Sequence, residues 1–366
     1  MSSIAALGPR ALASTPGHAV RRMEFLSIQY LRAVAALMVV GFHVKPRLLR
    51  MGYEGSWPEW LGCGVDIFFV ISGAIMWLTT YDRAVAPQDF LFRRFLRIAP
   101  LYYIVTVLVV VLMAVAPALV VGGRLDAMHA LASFAFLPWP HPVFGTLEPV
   151  LPQGWTLNYE MLFYLIFAAS LFAQPRLRPW LVVGALCAIV LAGRNSDPAS
   201  IAGFFSSSII LEFAFGLLIG VAITAGLRVR KEIAIALLVL GLVGIPSTWP
   251  LVIGGVPRVW LCGASAALLV AGAVFLEIEG AVLRSRVMHL LGDASYSIYL
   301  THGLAMSAVG AVWMRAGLAA HTPTFVLFVP VSIAVATLAG VITYRIAEKP
   351  LHDLSRNLVR RRTATA

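Results

Sequence analysis

Apolar stretches of about 20 residues recur along the whole chain and alternate with short polar segments. At about 1.5 Å of rise per residue, a stretch of this length can cross a bilayer as a helix, and only the fifth of those given below is short. We count ten stretches, at residues 26–45, 62–80, 99–121, 155–173, 180–193, 202–225, 232–249, 257–276, 288–309 and 323–346. The pattern therefore predicts an all-α, polytopic membrane protein with about ten transmembrane helices.

Composition and charge support this class. Of the 366 residues, 60% are hydrophobic and only 12% are charged, whereas ordinary globular domains are roughly a quarter charged. The net charge of +11 follows the positive-inside rule: with the N-terminus inside, most Lys and Arg residues fall in the inner segments. No nucleic-acid partner is needed to explain the charge, and both termini are predicted to be cytoplasmic.

The tails and the cysteines add little chemistry. Residues 1–23 lack the apolar region of a signal peptide and are predicted to form a disordered cytoplasmic tail. Residues 24–350 form the predicted transmembrane domain, and residues 351–366 a basic cytoplasmic tail. Cys63, Cys187 and Cys262 lie in apolar runs without metal-ligand spacing, so we expect small core residues, no disulfide and no bound metal.

The first predicted span carries an ionisable residue near each end. Arg32 and His43 are eleven positions apart, which is three helical turns plus roughly 20°, so both side chains leave from one face. The rise separates them by roughly 16 Å. Ionisable groups inside a membrane usually face a partner or a cavity. The alternative is that Arg32 extends to the headgroups and His43 lies at the opposite interface.

The next polar groups lie in or near the second and third spans. Asp66, near the outer end of the second span, is predicted to lie beside His43 and orient its imidazole, or else to cap a helix start. Ser72 lies deeper and is either a polar site residue or a helix-packing residue. Arg94 and Arg97 belong to a cationic cluster before the third span, which is either a phosphate site or a positive-inside anchor.

The fourth and sixth predicted spans also contain polar or acidic residues. Trp155 and Glu160 open the fourth span, where Trp155 is either a site residue or an interfacial anchor. Glu212 is predicted near the middle of the sixth span, followed by Gly216 and Gly220 at a spacing that allows close helix packing. A carboxylate at that depth must be neutral or paired.

A polar stripe also marks the ninth span. Tyr299 and His302 are three residues apart and share one face of the predicted helix. This stripe fits either a lined cavity or a satisfied structural network. By contrast, His129 and His141 in the long loop between the third and fourth spans are expected to be solvated.

Six short motifs, in order, resemble those of the membrane-bound acyltransferase 3 family, most closely its exopolysaccharide O-acetyltransferase branch. They are Arg32 with His43, Gly64 to Gly73 (GVDIFFVISG), Arg94 with Arg97 and Pro100, Trp155 to Glu160, Leu291 to His302, and Glu348-Lys349-Pro350. Each motif alone is weak, but together they cover residues 24–355. One departure is Ala74, where the family often has an aromatic residue.

The resemblance implies transfer of an acyl group, usually acetyl from acetyl-CoA, to a sugar hydroxyl of an exopolysaccharide or its lipid-linked precursor, in a bacterial inner membrane. Acyl-CoA is a substrate, so no permanently bound cofactor is expected. Other short acyl groups stay open, and the sequence does not specify the acceptor sugar or the oligomeric state. The competing classes are a transporter or flippase of a polysaccharide intermediate and a non-catalytic partner in polysaccharide synthesis.

The motif residues then divide into roles. His43 is the candidate base, oriented by Asp66; alternatively, His43 carries the acyl group covalently. The expected donor-binding residues are Arg32, Arg94, Arg97 and Ser72, and the expected catalytic set also includes Glu160. The expected acceptor-side residues are Trp155, Glu212, Tyr299 and His302. These residues are predicted to surround a central cavity that connects the two sides of the membrane.

Overall fold

The computed structural model describes residues 25–117, 120–318 and 323–364, and these ranges contain helices and turns but no strand. The α-helices are α1 (Leu26–Phe42), α2 (Lys45–Arg50), α3 (Gly64–Leu78), α4 (Pro87–Val115), α5 (Ala127–Phe134), α6 (Trp155–Ser170), α7 (Arg178–Ala192), α8 (Ile201–Phe205), α9 (Glu212–Thr224), α10 (Lys231–Ile253), α11 (Ala264–Ile278), α12 (Arg286–Asp293), α13 (Ser295–Arg315), α14 (Pro323–Thr343) and α15 (Lys349–Ala364). Short 3₁₀ or π segments precede α3, α6, α9, α11 and α15.

The prediction of an all-α polytopic membrane protein is confirmed. Within the described ranges, seven helical segments are long and apolar enough to cross a membrane. The other three predicted spans coincide with α6, α7 and α13, of which α7 is apolar but shorter. Helices therefore occupy all ten predicted positions, although only seven meet both the length and the composition of a span.

Three predicted spans differ from the observed helices. The third begins twelve residues early, at Pro87, so Arg94 and Arg97 lie within α4. The sixth is interrupted between α8 and α9, and Glu212 is the first residue of α9. Ser206 lies in this break, where its hydroxyl bonds to the carbonyl of Gly203, and such side-chain bonds compete with helix formation. The ninth span divides into α12 and α13.

Helices α3 and α9 pack backbone to backbone. A Cβ atom added to Gly216 would lie 1.8 Å from the carbonyl oxygen of Val70, and one on Gly73 would lie 2.0 Å from that of Phe213. Only glycine permits such an approach at these two positions. The close packing expected at Gly216 is therefore confirmed, and Gly73 is its counterpart on α3.

The C-terminal end of the chain is helical and packs against the helical bundle. The predicted N-terminal tail, residues 1–23, lies outside the described residues. The segment predicted as a basic C-terminal tail is helical, as α15, through Ala364. Glu348 anchors the start of this helix, because its carboxylate accepts hydrogen bonds from the amide (3.2 Å) and the hydroxyl (2.5 Å) of Ser297. Helix α15 is thereby joined to α13.

Candidate active site

Five helices, α1, α3, α4, α6 and α13, surround an internal cavity of about 330 Å³. Its walls are mostly apolar, with polar groups from every one of these helices. The polar and charged lining residues are Gln29, Arg32, Ser72, Thr79, Arg94, Arg97, Thr156, Glu160, Tyr164, Ser295, Tyr296 and Tyr299. Six of the residues singled out from the sequence, Arg32, Ser72, Arg94, Arg97, Glu160 and Tyr299, thus line one space.

Three arginines mark one end of the cavity, which we call the basic end. Arg32 donates from Nη1 to Oε1 of Gln29 over 3.1 Å, and Arg94 donates from Nη2 to the hydroxyl of Thr79 over 3.0 Å. Arg97 lines the same region. Among the described residues, neither Arg32 nor Arg94 is paired with a carboxylate, so these guanidinium groups keep donors for an anionic ligand.

The middle of the cavity holds a carboxylate surrounded by hydroxyl groups. Glu160 accepts a hydrogen bond from the hydroxyl of Ser72 at 3.1 Å and a short one from that of Tyr164. We call Ser72, Glu160 and Tyr164 the cavity cluster. No arginine or lysine bonds to Glu160 among the described residues, so hydrogen bonds rather than an ion pair hold this carboxylate in place.

Tyr299 lies at the opposite side of the cavity from the arginines. Its hydroxyl lies 2.9 Å from that of Thr156 and donates to the carbonyl of Gln153 at 3.0 Å. Its ring centroid is 6.1 Å from that of His302, and His302 in turn lies 4.8 Å from the ring of His43. We call this region, beyond Tyr299, the histidine end. Neither histidine lines the cavity itself.

The backbone orients both imidazoles. Nδ1 of His43 lies 2.8 Å from the carbonyl oxygen of Val39, and Nδ1 of His302 lies 2.7 Å from that of Tyr299. A carbonyl oxygen only accepts hydrogen bonds, so both Nδ1 atoms donate. Nε2 is therefore the basic nitrogen of each ring. Nε2 of His302 is buried and has no hydrogen-bond partner among the described residues.

Asp66 does not orient His43, contrary to the prediction. Its carboxylate is fully buried and forms a two-pronged ion pair with Arg258, with Nε at 2.9 Å from Oδ1. Nη2 of Arg258 also donates to the carbonyl of Gly62 at 2.7 Å. The partners lie 192 positions apart in sequence. An arginine fork satisfies a carboxylate in this way without help from an imidazole.

Glu212 belongs to the same buried group. Its side chain is fully buried against Gly263, and its electrostatic neighbours include Asp66 and Arg258. It does not line the cavity, so the structure does not place it with the expected acceptor-side residues. We call Asp66, Glu212 and Arg258 the sealed cluster. Two contacting thiols, Cys63 and Cys262, lie beside it with their sulfurs 2.7 Å apart.

Other residues from the sequence have structural surroundings. Trp155 is half-buried, does not line the cavity, and packs edge-on against Phe69 with ring centroids 6.4 Å apart. His129 and His141 are buried rather than solvated, and their rings lie 5.1 Å apart. His129 lies within α5 and His141 in the loop that follows it, and this loop brings the two rings against one another instead of facing water.

Several polar residues near the site were not predicted. Thr156 lies within the Trp155–Glu160 motif, one helical turn before Glu160, and Tyr164 lies one turn after Glu160, so this spacing could have indicated both. Arg47 could not be inferred in this way. Its guanidinium donates to the carbonyl of Gly303 and the hydroxyl of Ser307, both at 3.1 Å, and to the carbonyl of His43 at 3.4 Å. It adds a cation to the histidine end.

The arrangement is that of an integral-membrane enzyme. The basic end, the carboxylate of Glu160 and the histidine end follow one another through a helical bundle. Among the described residues, no group of three or more His, Cys, Asp or Glu side chains could hold a metal ion. The family model for the acyltransferase domain Acyl_transf_3 matches residues 25–345. The chain belongs to this acyltransferase 3 family and is an integral-membrane O-acyltransferase.

Individual relatives agree with this membership. The chain is 40% identical over 305 residues to the exopolysaccharide production protein ExoZ of Rhizobium meliloti, which covers 82% of this chain and 92% of ExoZ. It is 31% identical over 201 residues to the peptidoglycan O-acetyltransferase OatA of Listeria monocytogenes, covering 48% of this chain and 30% of OatA. No solved structure is significantly similar to the chain.

Proposed function

We propose that this enzyme transfers an acetyl group from cytoplasmic acetyl-CoA to a sugar hydroxyl of an exopolysaccharide or its lipid-linked precursor. The similarity to an exopolysaccharide production protein over 92% of that protein's length supports the acceptor class, and the peptidoglycan O-acetyltransferase supports the acetyl group. The basic end would face the cytoplasm of a bacterial cell, since the positive-inside rule places both termini there.

One observation carries the choice of donor. All three arginines of the basic end line the cavity, and Arg32 and Arg94 have no carboxylate partner in the part of the chain that the structure describes. Phosphate groups are the ligands that suit such guanidinium groups. The roughly 16 Å of helix between Arg32 and His43 approximates the reach of a pantetheine arm. An acyl-CoA bound with its diphosphate at the basic end would thus bring its thioester towards Tyr299 and the histidines.

The chemistry would then follow from the histidine end. The acceptor oxygen attacks the thioester carbonyl carbon, a C–O bond forms, and the C–S bond breaks. Nε2 of His43 takes the hydroxyl proton and passes it to the departing CoA thiolate. In the alternative, Nε2 itself attacks the thioester, a C–N bond forms, and CoA leaves as the thiolate. The sugar hydroxyl then attacks the acetyl-imidazole, the C–N bond breaks, and the hydroxyl proton passes to the thiolate. His302, whose Nε2 is unpartnered among the described residues, would hold the acceptor beside His43.

The direct test uses membranes that contain the enzyme, radiolabelled acetyl-CoA and the glycan fraction of the host strain. We expect alkali-labile label in the glycan, and a loss of about 10²-fold or more in His43→Ala. Glu279→Gln is the control, because Glu279 lies exposed after α11 and outside the cavity. Label transfer unchanged in His43→Ala would remove His43 from the mechanism.

The same assay separates the remaining alternatives. Movement of an unmodified lipid-linked sugar across the membrane, without label in the glycan, would show that the protein acts as a flippase and not as an acetyltransferase. Omission of the acceptor distinguishes the two roles of His43. Label that stays on the wild-type protein and is absent from His43→Ala would favour the acetyl-imidazole, whereas an unlabelled protein favours general base catalysis.

A further inference from the structure

A second, wider cavity of about 770 Å³ lies beyond the basic end, between α4 and α15. We call it the vestibule. It shares Thr79, Arg94 and Arg97 with the inner cavity, so the two spaces meet at these residues. Its volume lies within the range of roughly 300–1,000 Å³ that is typical of ligand sites. The vestibule is thus large enough for a group much wider than the inner cavity accepts.

Basic side chains dominate the vestibule. Six arginine or lysine residues line it against two acidic residues, Asp293 and Asp353. One of these acids is already engaged, since Oδ2 of Asp293 lies 3.2 Å from Nδ1 of His289. The remaining excess of positive charge favours a ligand that carries more than one negative charge.

Helix α15 supplies one wall of the vestibule. Its residues Lys349, His352 and Arg356 line the space opposite Arg93, Arg94 and Arg97 of α4. Nε2 of His352 donates to the carbonyl of Arg97 at 3.4 Å, and Glu348 fixes the start of the helix against α13. Helix α15 begins after residue 345, where the match to the family model ends.

We propose that α15 binds the nucleotide half of the acyl-CoA donor, with Lys349 and Arg356 contacting its 3′-phosphate. This inference rests on the proposed donor. Arg94 and Arg97 lie where the two cavities meet, so the diphosphate next to the pantetheine arm belongs there. Lys349 and Arg356 line only the vestibule, so they would lie beside the end of the acyl-CoA that is farthest from the thioester. That end carries the 3′-phosphate, a dianion suited to an ammonium and a guanidinium group.

The test compares acetyl-CoA with acetyl-dephospho-CoA, which lacks only the 3′-phosphate, in proteoliposomes. In the wild type we expect a KM lower by about tenfold for acetyl-CoA, as one or two charge-assisted hydrogen bonds provide. Arg356→Ala should raise the KM for acetyl-CoA about tenfold, leave that for acetyl-dephospho-CoA unchanged, and leave kcat unchanged for both. Lys349→Gln should act in the same direction.

A matched control shows whether the loss of any surface cation has the same effect. Arg230→Ala removes a strongly exposed cation outside the vestibule and should change neither KM. A rise in KM that is equal for both donors would overturn the proposal, and so would a wild type that does not distinguish them. An effect of Arg356→Ala that appears only with anionic lipids and equally for both donors would assign the patch to lipid headgroups. Failure of wild-type enzyme to use either donor would instead refute the proposed function.

Discussion

Two groups of polar residues share helix α3 but differ in how their carboxylates are compensated. In the sealed cluster, Asp66 of α3 is fully buried and paired with a guanidinium group, and no member faces the cavity. In the cavity cluster, Ser72 of the same helix bonds to Glu160, and every member lines the cavity. Only six positions along one helix separate the two α3 residues.

The comparison shows that a carboxylate within a membrane helix does not by itself mark a reactive site. Burial of any charge demands compensation, and the kind of compensation carries the information. A permanent counterion, such as Arg258 beside Asp66, compensates the charge of that carboxylate without a ligand. Hydroxyl partners, as at Glu160, orient a carboxylate but leave its charge available. We therefore infer a structural role for the sealed cluster and a chemical role for the cavity cluster.

The largest effect is expected from breaking the sealed cluster. Asp66→Leu should lower the free energy of unfolding by about 3–5 kcal/mol, because it leaves the guanidinium group of Arg258 without its carboxylate. The double variant Asp66→Leu/Arg258→Met removes both charges and should recover most of this loss. Thermal unfolding in detergent measures the stability, and acetyl transfer per folded protein measures the function.

The double variant also tests the role that the sequence predicted for Asp66. If the role of Asp66 is structural, the folded double variant should transfer acetyl groups at nearly the wild-type rate. A double variant that folds well but transfers no acetyl group would contradict the division between the two clusters and return Asp66 to the catalytic residues.

The next effect concerns the cavity cluster. Glu160→Gln keeps an oxygen that accepts from Ser72 and Tyr164 but removes the charge, so the fold should be unchanged. We expect kcat to fall by about 10²-fold, or about 2.7 kcal/mol in the barrier. Glu279→Gln, at an exposed position after α11, is the control. A destabilised Glu160→Gln with normal kcat would make the cavity cluster structural as well.

The sequence predicted the fold class because membrane helices are encoded locally. Runs of apolar residues specify where helices form, and Gly216 indicated close packing through its own lack of a side chain. The basic end was also predictable in part. Arg94 and Arg97 are three residues apart, and any helix brings such residues to one face.

The predictions for Asp66 and Glu212 were wrong where they depended on contacts between helices that are distant in sequence. The partner of Asp66 lies 192 positions away, and helical periodicity does not specify which helix faces which. Asp66 was therefore assigned to His43 on similar depth alone. Glu212 was predicted in mid-membrane because its stretch is largely apolar. The serine run around Ser206 interrupts the helix before Glu212 and could have indicated the break.

The smallest effect joins the two clusters through the packing of α3 on α9. Gly216→Ala places a methyl group 1.8 Å from the carbonyl oxygen of Val70, so α3 must move away by about an ångström or more. We expect a loss of about 1–3 kcal/mol in stability, typical of overpacking. Gly184→Ala is the control, because a Cβ atom there meets nothing within 4 Å in α7. It should be neutral or stabilise the helix by about 0.5–1 kcal/mol.

The activity of the same variant distinguishes the clusters further. The displacement would carry Ser72 with α3, while Glu160 stays on α6, so the 3.1 Å hydrogen bond between them should change. The sealed cluster spans α3, α9 and the segment before α11, and its flexible arginine can follow the movement. Transfer should thus fall several-fold more than the folded fraction does. A fall in transfer that only parallels the loss of folded protein would show that the cavity cluster tolerates this displacement.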